Sequence, residues 1–151
     1  MAENRGADQD RRQLFCRIIT PERIVYDDET DLVVVRIADG DLGVMVNHAP
    51  TVSTVGIHEV RVGQGDERQV FATSDGFFKV SENLVQVLVE EAVPADEIDV
   101  NEAEDRIEKA EQELADLSDE GMEFEREEIE RRQRTAENLV RVSQEHGGGE
   151  N

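Results

Sequence analysis

The sequence predicts a β plus α architecture, an N-terminal β-sandwich or flattened barrel over residues 14–93 followed by a C-terminal antiparallel two-helix hairpin over residues 95–145. Two observations predict it. Short apolar segments punctuated by turn residues fill the first part with no helical segment between them, which is the pattern of two packed β layers. After Pro94 the strand pattern stops, and apolar residues return at alternating steps of four and three, the seam of an amphipathic helix.

Residues 1–13 are polar and charged; they read as a disordered arm, and they lack the apolar stretch of a signal peptide. The first strand segment, 14–20, is ended by Pro21; the second, 23–26, by Asp27-Asp28; the third, 32–37, by Asp39-Gly40. Asp39-Gly40 favours a tight turn, since glycine accepts positive φ and aspartate hydrogen-bonds its own backbone. Residues 42–46 then read as a short strand. Ala49 is pushed into an extended conformation by Pro50, so the stretch ends in a stiff polar corner carrying His48. Further strand segments are 51–55, 57–62, 69–73, 77–80 and 84–90, with Gly63-Gln64-Gly65-Asp66 and Asp75-Gly76 expected as hairpin turns. Segment 57–62 alternates imperfectly, whereas 84–89 is nearly continuous and is expected to be buried on both sides.

In the C-terminal part the first stripe is Ala103, Ile107, Ala110, Leu114 and Leu117, broken by Ser118-Asp119-Glu120-Gly121. Met122, Ile129, Ala136, Leu139 and Val140 continue a weaker stripe, and residues 146–151, with Gly147-Gly148-Gly149, read as a flexible tail. Two helices joined by a short loop form an antiparallel hairpin. Its stripes are rich in alanine, so the hairpin is expected to be ordered chiefly where it docks and to leave that dock at low cost. Residues 95–125 hold fourteen acids against Arg106 and Lys109, whereas residues 126–146 balance five acids with Arg126, Arg131, Arg132, Arg134 and Arg141. Those arginines either engage an acidic loop on a partner or pair with Glu127, Glu128, Glu130 and Glu137 along their own helix or with the first helix.

At 151 residues the chain makes one domain, or one domain with an appendage. Its net charge of -21 argues against nucleic acid and anionic lipid headgroups, both of which require a basic surface, and leaves basic partners or solubility in a salty or hot cytoplasm. A single cysteine, Cys16, permits no internal disulfide and points to a reducing compartment. No apolar run approaches ~20 residues, so membrane association would have to come through a partner.

Motifs for catalysis are missing. No Gly-Lys pair offers a phosphate loop, Gly63-Gln64-Gly65 is followed by Arg68 where a third glycine belongs, and no Gly-x-Ser-x-Gly occurs. His48, His58 and His146 are scattered, Cys16 has no ligand neighbour, and Asp39 with Asp41 lacks the longer row of acids that a calcium loop needs. His48 has no nucleophile or orienting acid at a recognisable spacing. A non-catalytic protein without a metal site is expected.

The run from Gly40 to Pro50, Gly-Asp-Leu-Gly-Val-Met-Val-Asn-His-Ala-Pro, resembles the Gly-Glu-hydrophobic-Gly-hydrophobic-x-x-x-His-Ala-Pro signature of the epsilon subunit of F-type ATP synthases. Asp75-Gly76-Phe77-Phe78-Lys79-Val80 with Asn83-Leu84-Val85-Gln86-Val87-Leu88 is similar to a second run of that family, and Glu97-Ile98-Asp99 to the opening of its helical part. The resemblance implies a non-catalytic rotor subunit of the central stalk that couples proton transport to ATP synthesis. It implies partners in the gamma subunit, the ring of c subunits and the alpha/beta catalytic head, and a peripheral place on the cytoplasmic face of the cell membrane. Asp39, Asp41, Leu42, Asn47 and His48 would then face the c-ring and gamma. The hairpin would be a mobile arm inhibiting ATP hydrolysis, with Arg126, Arg131, Arg132, Arg134 and Arg141 against the beta subunit. Some relatives bind ATP through Ile/Leu-Asp-x-x-Arg-Ala; here Ile98, Asp99 and Ala103 match, but Glu102 stands where the arginine belongs, which implies weak or no ATP binding and no cofactor. The rival expectation is a free-standing acidic adaptor that binds an unrelated basic protein.

Overall fold

Residues 13–118 and 121–147 are described by the structure, a computed structural model. The expected arm, except Gln13, and the last four residues of the expected tail lie outside them, as do Asp119 and Glu120 of the interhelical loop. The described strands are β1 (Leu14–Ile19), β2 (Ile24–Thr30), β3 (Val33–Ile37), β4 (Gly40–Val44), β5 (Thr51–Val55), β6 (His58–Val62), β7 (Gln69–Thr73), β8 (Gly76–Ser81), β9 (Leu84–Val89) and β10 (Ala92–Pro94). They form two five-stranded sheets, ordered β2-β1-β9-β8-β5 and β10-β7-β6-β3-β4. Strands β1 and β9 pair in parallel; the other pairs run antiparallel.

Period-2 alternation fills the space between the sheets. Leu14, Cys16 and Ile18 of β1, Val33 and Val35 of β3, Val60 and Val62 of β6, Phe78 and Val80 of β8, and Val85 and Val87 of β9 are almost completely buried. Phe71 of β7 meets the ring of Tyr26 edge-on, with centroids 5.5 Å apart. Cys16 lies in this core, and burial pushes its thiol up to about 12. It is an inert filler of apolar space.

Four expectations about the sandwich need correction. Strand β2 is not ended by Asp27-Asp28 but runs through them to Thr30, paired with β1. Strand β4 begins two residues earlier than expected: the turn falls on Ala38 and Asp39, and Gly40, with φ of +125°, opens the strand. Asp75-Gly76 is a crossing between sheets, since β7 and β8 belong to different ones. Gly76 is needed for close approach, because a Cβ there would lie 2.1 Å from the Leu88 carbonyl oxygen. The hairpin turn joining β8 to β9 is Glu82-Asn83, both left-handed with φ of +50° and +66°. Strand β9 is buried on one face only, with Leu88 44% exposed, because the helices cover the other sheet. The continuous apolar run misled because an open sheet face tolerates scattered apolar side chains.

The last strand, β10, shows in the sequence only as the end of the β region. Pro94 closes it at the sheet edge, where a missing N–H costs no ladder bond. A single 3₁₀ turn, Ala95–Glu97, leads into α1 (Val100–Asp116), and α2 (Glu123–His146) returns antiparallel to it. The buried stripe of α2 is Ile129, Thr135, Ala136, Asn138, Leu139 and Val142, so the seam runs through Val142 rather than Val140. His146, assigned in sequence to the tail, is the last residue of α2.

Candidate functional site

The outer face of the β10-β7-β6-β3-β4 sheet carries the hairpin. Ala72 of β7, Ala95, Ala103 of α1, and Leu139 and Val142 of α2 form a small buried cluster, flanked by Val70, Val93, Ile98 and Val140. Three of its five buried members are alanines, which let backbones approach closely but remove little apolar surface from water.

Polar contacts take up much of the remaining dock. The Asn138 amide donates to the carbonyl oxygens of His58 (2.6 Å) and Thr73 (3.4 Å), the paired ends of β6 and β7. On α1, Arg106 donates two bonds to Glu91, at 2.8 and 2.9 Å, a bidentate geometry that raises the pKa of the arginine further. Arg132 of α2 reaches Glu113 of α1 at 2.7 Å, and Arg131 pairs with Glu128 and lies 3.8 Å from Asp75.

The densest group surrounds Glu59, which is 5% exposed. Arg61 Nη1 lies 2.8 Å from Glu59 Oε2, Arg141 Nη2 lies 3.1 Å from Oε1, and His146 Nε2 lies 3.2 Å from Oε2. Burial alone would raise the Glu59 pKa, but Arg61, His146 and Arg141 outweigh it and hold the carboxyl below its ordinary value. Burial, together with Arg36 and Arg141, lowers the pKa of His58, whose Nδ1 lies 3.2 Å from Arg141 Nη2. Glu59, Glu145 and His146 have donor atoms within 4.8 Å of one another, the composition of a cation site. The fit fails: guanidinium groups already neutralise both Glu59 oxygens and would repel a divalent ion.

The residues expected at an interface fall into two groups. Asp39 is exposed in the turn, and Asp41 begins the outward face of β4, where Arg36 at 2.8 Å and Arg61 at 3.2 Å lower its pKa. Leu42 points the other way and packs on the sandwich core. Asn47 and His48 lie past the opposite end of β4, roughly 13 Å of strand away at about 3.3 Å per residue. That corner is pinned. The left-handed Asn47 (φ +67°) donates its N–H to Asn83 Oδ1 at 2.6 Å, and His48 Nδ1 contacts the Ala49 carbonyl oxygen at 2.7 Å. Turn and corner are separate surfaces.

Of the five arginines, Arg131, Arg132 and Arg141 are engaged inside the chain, and Arg126 and Arg134 make no ion pair among the described residues. In the nucleotide-motif residues, Asp99 caps α1, with Oδ1 accepting from the Glu102 N–H at 3.1 Å. Glu102 is exposed in the first turn, where a negative charge suits the helix dipole, and Ala103 is buried in the dock. Sequence reasoning passed over Glu59, Arg36, Arg61, Glu91 and Arg106. For Glu59 there was a signal: in 57–62 the outward residues are Ile57, Glu59 and Arg61, an acid between an apolar residue and a cation.

The fold and its dock define a class: a β-sandwich body bearing a helical hairpin on one outer face, attached by small apolar residues and ion pairs. The chain belongs to the ATP synthase epsilon chain family. The family model described as "ATP synthase, Delta/Epsilon chain, beta-sandwich domain" matches residues 13–95. The ATP synthase epsilon chain of Rubrobacter xylanophilus is 64% identical over 141 residues, covering 91% of this chain and 97% of the relative. That of Halalkalibacterium halodurans is 33% identical, covering 81% and 92%. Among solved structures, a chain of the Euglena gracilis mitochondrial ATP synthase OSCP/F1/c-ring assembly is similar, with a TM-score of 0.67 and 22% identity over 86% of this chain and 81% of that one. A chain of the Tetrahymena thermophila mitochondrial ATP synthase central stalk/c-ring structure gives 0.59 and 10% identity over 86% and 96%. At those identities the likeness is one of fold.

Proposed function

We propose that the chain is a non-catalytic central-stalk subunit of a proton-translocating ATP synthase, with the sandwich as its fixed body and the hairpin as an arm that inhibits ATP hydrolysis when it leaves the dock. The observation that carries this reading is the dock's composition: three alanines, two larger apolar side chains and a set of ion pairs, an interface that water can replace at modest cost. Asp39 and Asp41 at the turn, and Asn47 and His48 at the corner, are the surfaces assigned to the c-ring and to gamma, with Leu42 supporting the turn from within. Arg126 and Arg134, which make no ion pair among the described residues, and then Arg131, Arg132 and Arg141 once the hairpin leaves, are the groups assigned to an acidic loop of the beta subunit. The alpha/beta head, gamma and c-ring are thus the partners, and the location is the cytoplasmic face of the membrane through the complex. No helix among the described residues is long and apolar enough to cross a membrane.

ATP binding is weak or missing in this reading, because Glu102 would face the nucleotide's phosphates with a negative charge. Calorimetry on the full chain would then show no micromolar affinity for ATP. The free-standing adaptor finds no support in the family match. Deleting residues 98–151, which spares β10, provides the main test. The reassembled ATPase should lose its inhibition while the truncated chain still copurifies with gamma. Retained inhibition would refute the arm, and loss of copurification would refute the stalk body.

A further inference from the structure

A carboxylate that is buried and ionised is costly unless cations surround it. Glu59 meets this condition only when the hairpin is docked. Arg61 sits on the same strand, two residues away, and stays beside Glu59 whatever the helices do. The other two contacts, Arg141 on Oε1 and His146 on Oε2, come from the last two turns of α2. Arg141 is itself aimed: Nη2 donates to Asn138 Oδ1 at 3.0 Å, and Nη1 donates to Glu145 at 2.8 Å. On the sandwich side Arg61 reaches past Glu59 to Asp41, and Asp41 accepts from Arg36. A row of alternating charges therefore crosses the sheet from β4 and ends on α2, and Glu59 is the link between sheet and helix.

We infer that Glu59 is the latch that holds the second helix on the sandwich, so that release of the hairpin consists of breaking the Glu59–Arg141 and Glu59–His146 contacts. Both states of such a latch are compensated. When the helix leaves, its cover leaves too; Glu59 becomes hydrated and keeps Arg61, while Arg141 becomes available to an acidic partner. The same guanidinium cannot serve both at once, so an acidic surface offered to Arg141 competes directly with Glu59. The role of this latch in regulation rests on the proposed arm, but its existence in the isolated chain does not.

Hydrogen exchange on the full-length chain at neutral pH tests it. In Glu59→Gln, which keeps the side-chain shape and removes the charge, amides in 136–146 should exchange about 10-fold faster or more, with those of β1 and β9 unchanged. Arg141→Gln should do the same, and the rise in the double variant should fall well short of the product of the two single ones, since both substitutions remove the Glu59–Arg141 contact. Unchanged exchange in 136–146, or effects that multiply in the double variant, would overturn the latch. If Glu59→Gln does not fold, Arg141→Gln alone decides by the same criterion. Inhibition measured in the reassembled complex separates the two readings. Faster exchange with unaltered inhibition upholds the latch and counts against the arm; unaltered exchange removes the latch and leaves the arm to the truncation test.

Discussion

Between the two sheets the chain buries branched and aromatic side chains, Val35, Val60, Phe71, Phe78 and Val87 among them, whereas between sheet and hairpin it buries Ala72, Ala95 and Ala103 with Leu139 and Val142 and completes the contact with charge. The first interface owes its stability to apolar area, which aqueous surroundings cannot replace. The second relies on polar and ionic contacts whose net worth is small because water competes for them. Two interfaces held by different forces thus share one short chain.

The largest effect that could break this contrast is expected from Phe78→Ala, which empties space at a fully buried site and should cost about 3–5 kcal/mol. Denaturant unfolding followed by far-ultraviolet circular dichroism should show strand and helix signals lost together. Helical signal surviving the loss of the sandwich would show that the hairpin stands by itself. Leu139→Ala should cost about 2–3 kcal/mol and, unlike Phe78→Ala, act locally, with exchange rising across 123–146 while β1 and β9 stay protected. Asp99→Ala removes the cap of α1 and should cost about 1 kcal/mol, visible as faster exchange in the first turn alone.

Acid sharpens the comparison further. Glu59 is held below the ordinary carboxylate value of 4.5, so its stabilisation is complete above that value and is lost as pH falls through the lowered folded one. His58, also depressed, acts with the same sign, since the folded chain takes up its proton less readily than the unfolded chain. The groups facing Glu59 are His58 and Arg61 from β6, and Arg141, Glu145 and His146 from α2. The Cys16 thiol in the sandwich core does not titrate in this range. Acidification should therefore loosen residues 136–146 before the β-strands, and simultaneous loss would deny the difference between the two interfaces.

Much of the fold was legible because strand alternation and helix seams are local. Most strands from Leu14 to Val89 and both helices could be placed by period, with Asp39-Gly40 misplaced by a residue and β2 cut short at Asp27-Asp28, acids that an edge strand accommodates by pointing them to solvent. Where local cues failed, the cause was a distant neighbour. Asp75-Gly76 has a turn's composition, but its glycine is needed because Leu88 crosses close by. Glu82-Asn83 lacks the usual glycine, yet forms the left-handed turn whose Asn83 side chain pins Asn47. The residues around His48 proposed for an interface come from a short motif, and the structure separates them from Asp41 by the length of a strand.

The sequence by itself determined that a β body precedes a helical hairpin, that it carries no familiar catalytic motif, and that alanines make up part of the hairpin's apolar stripes. Periodicity and composition are properties of neighbours along the chain, so they survive without coordinates. Only the tertiary structure decided which sheet carries the hairpin, that Val142 rather than Val140 lies in the seam, and that Glu59 gathers Arg61, Arg141 and His146 around it. The partners of a buried charge come from positions more than eighty residues apart, and their meeting is fixed by how α2 lies on β6, which no local pattern encodes.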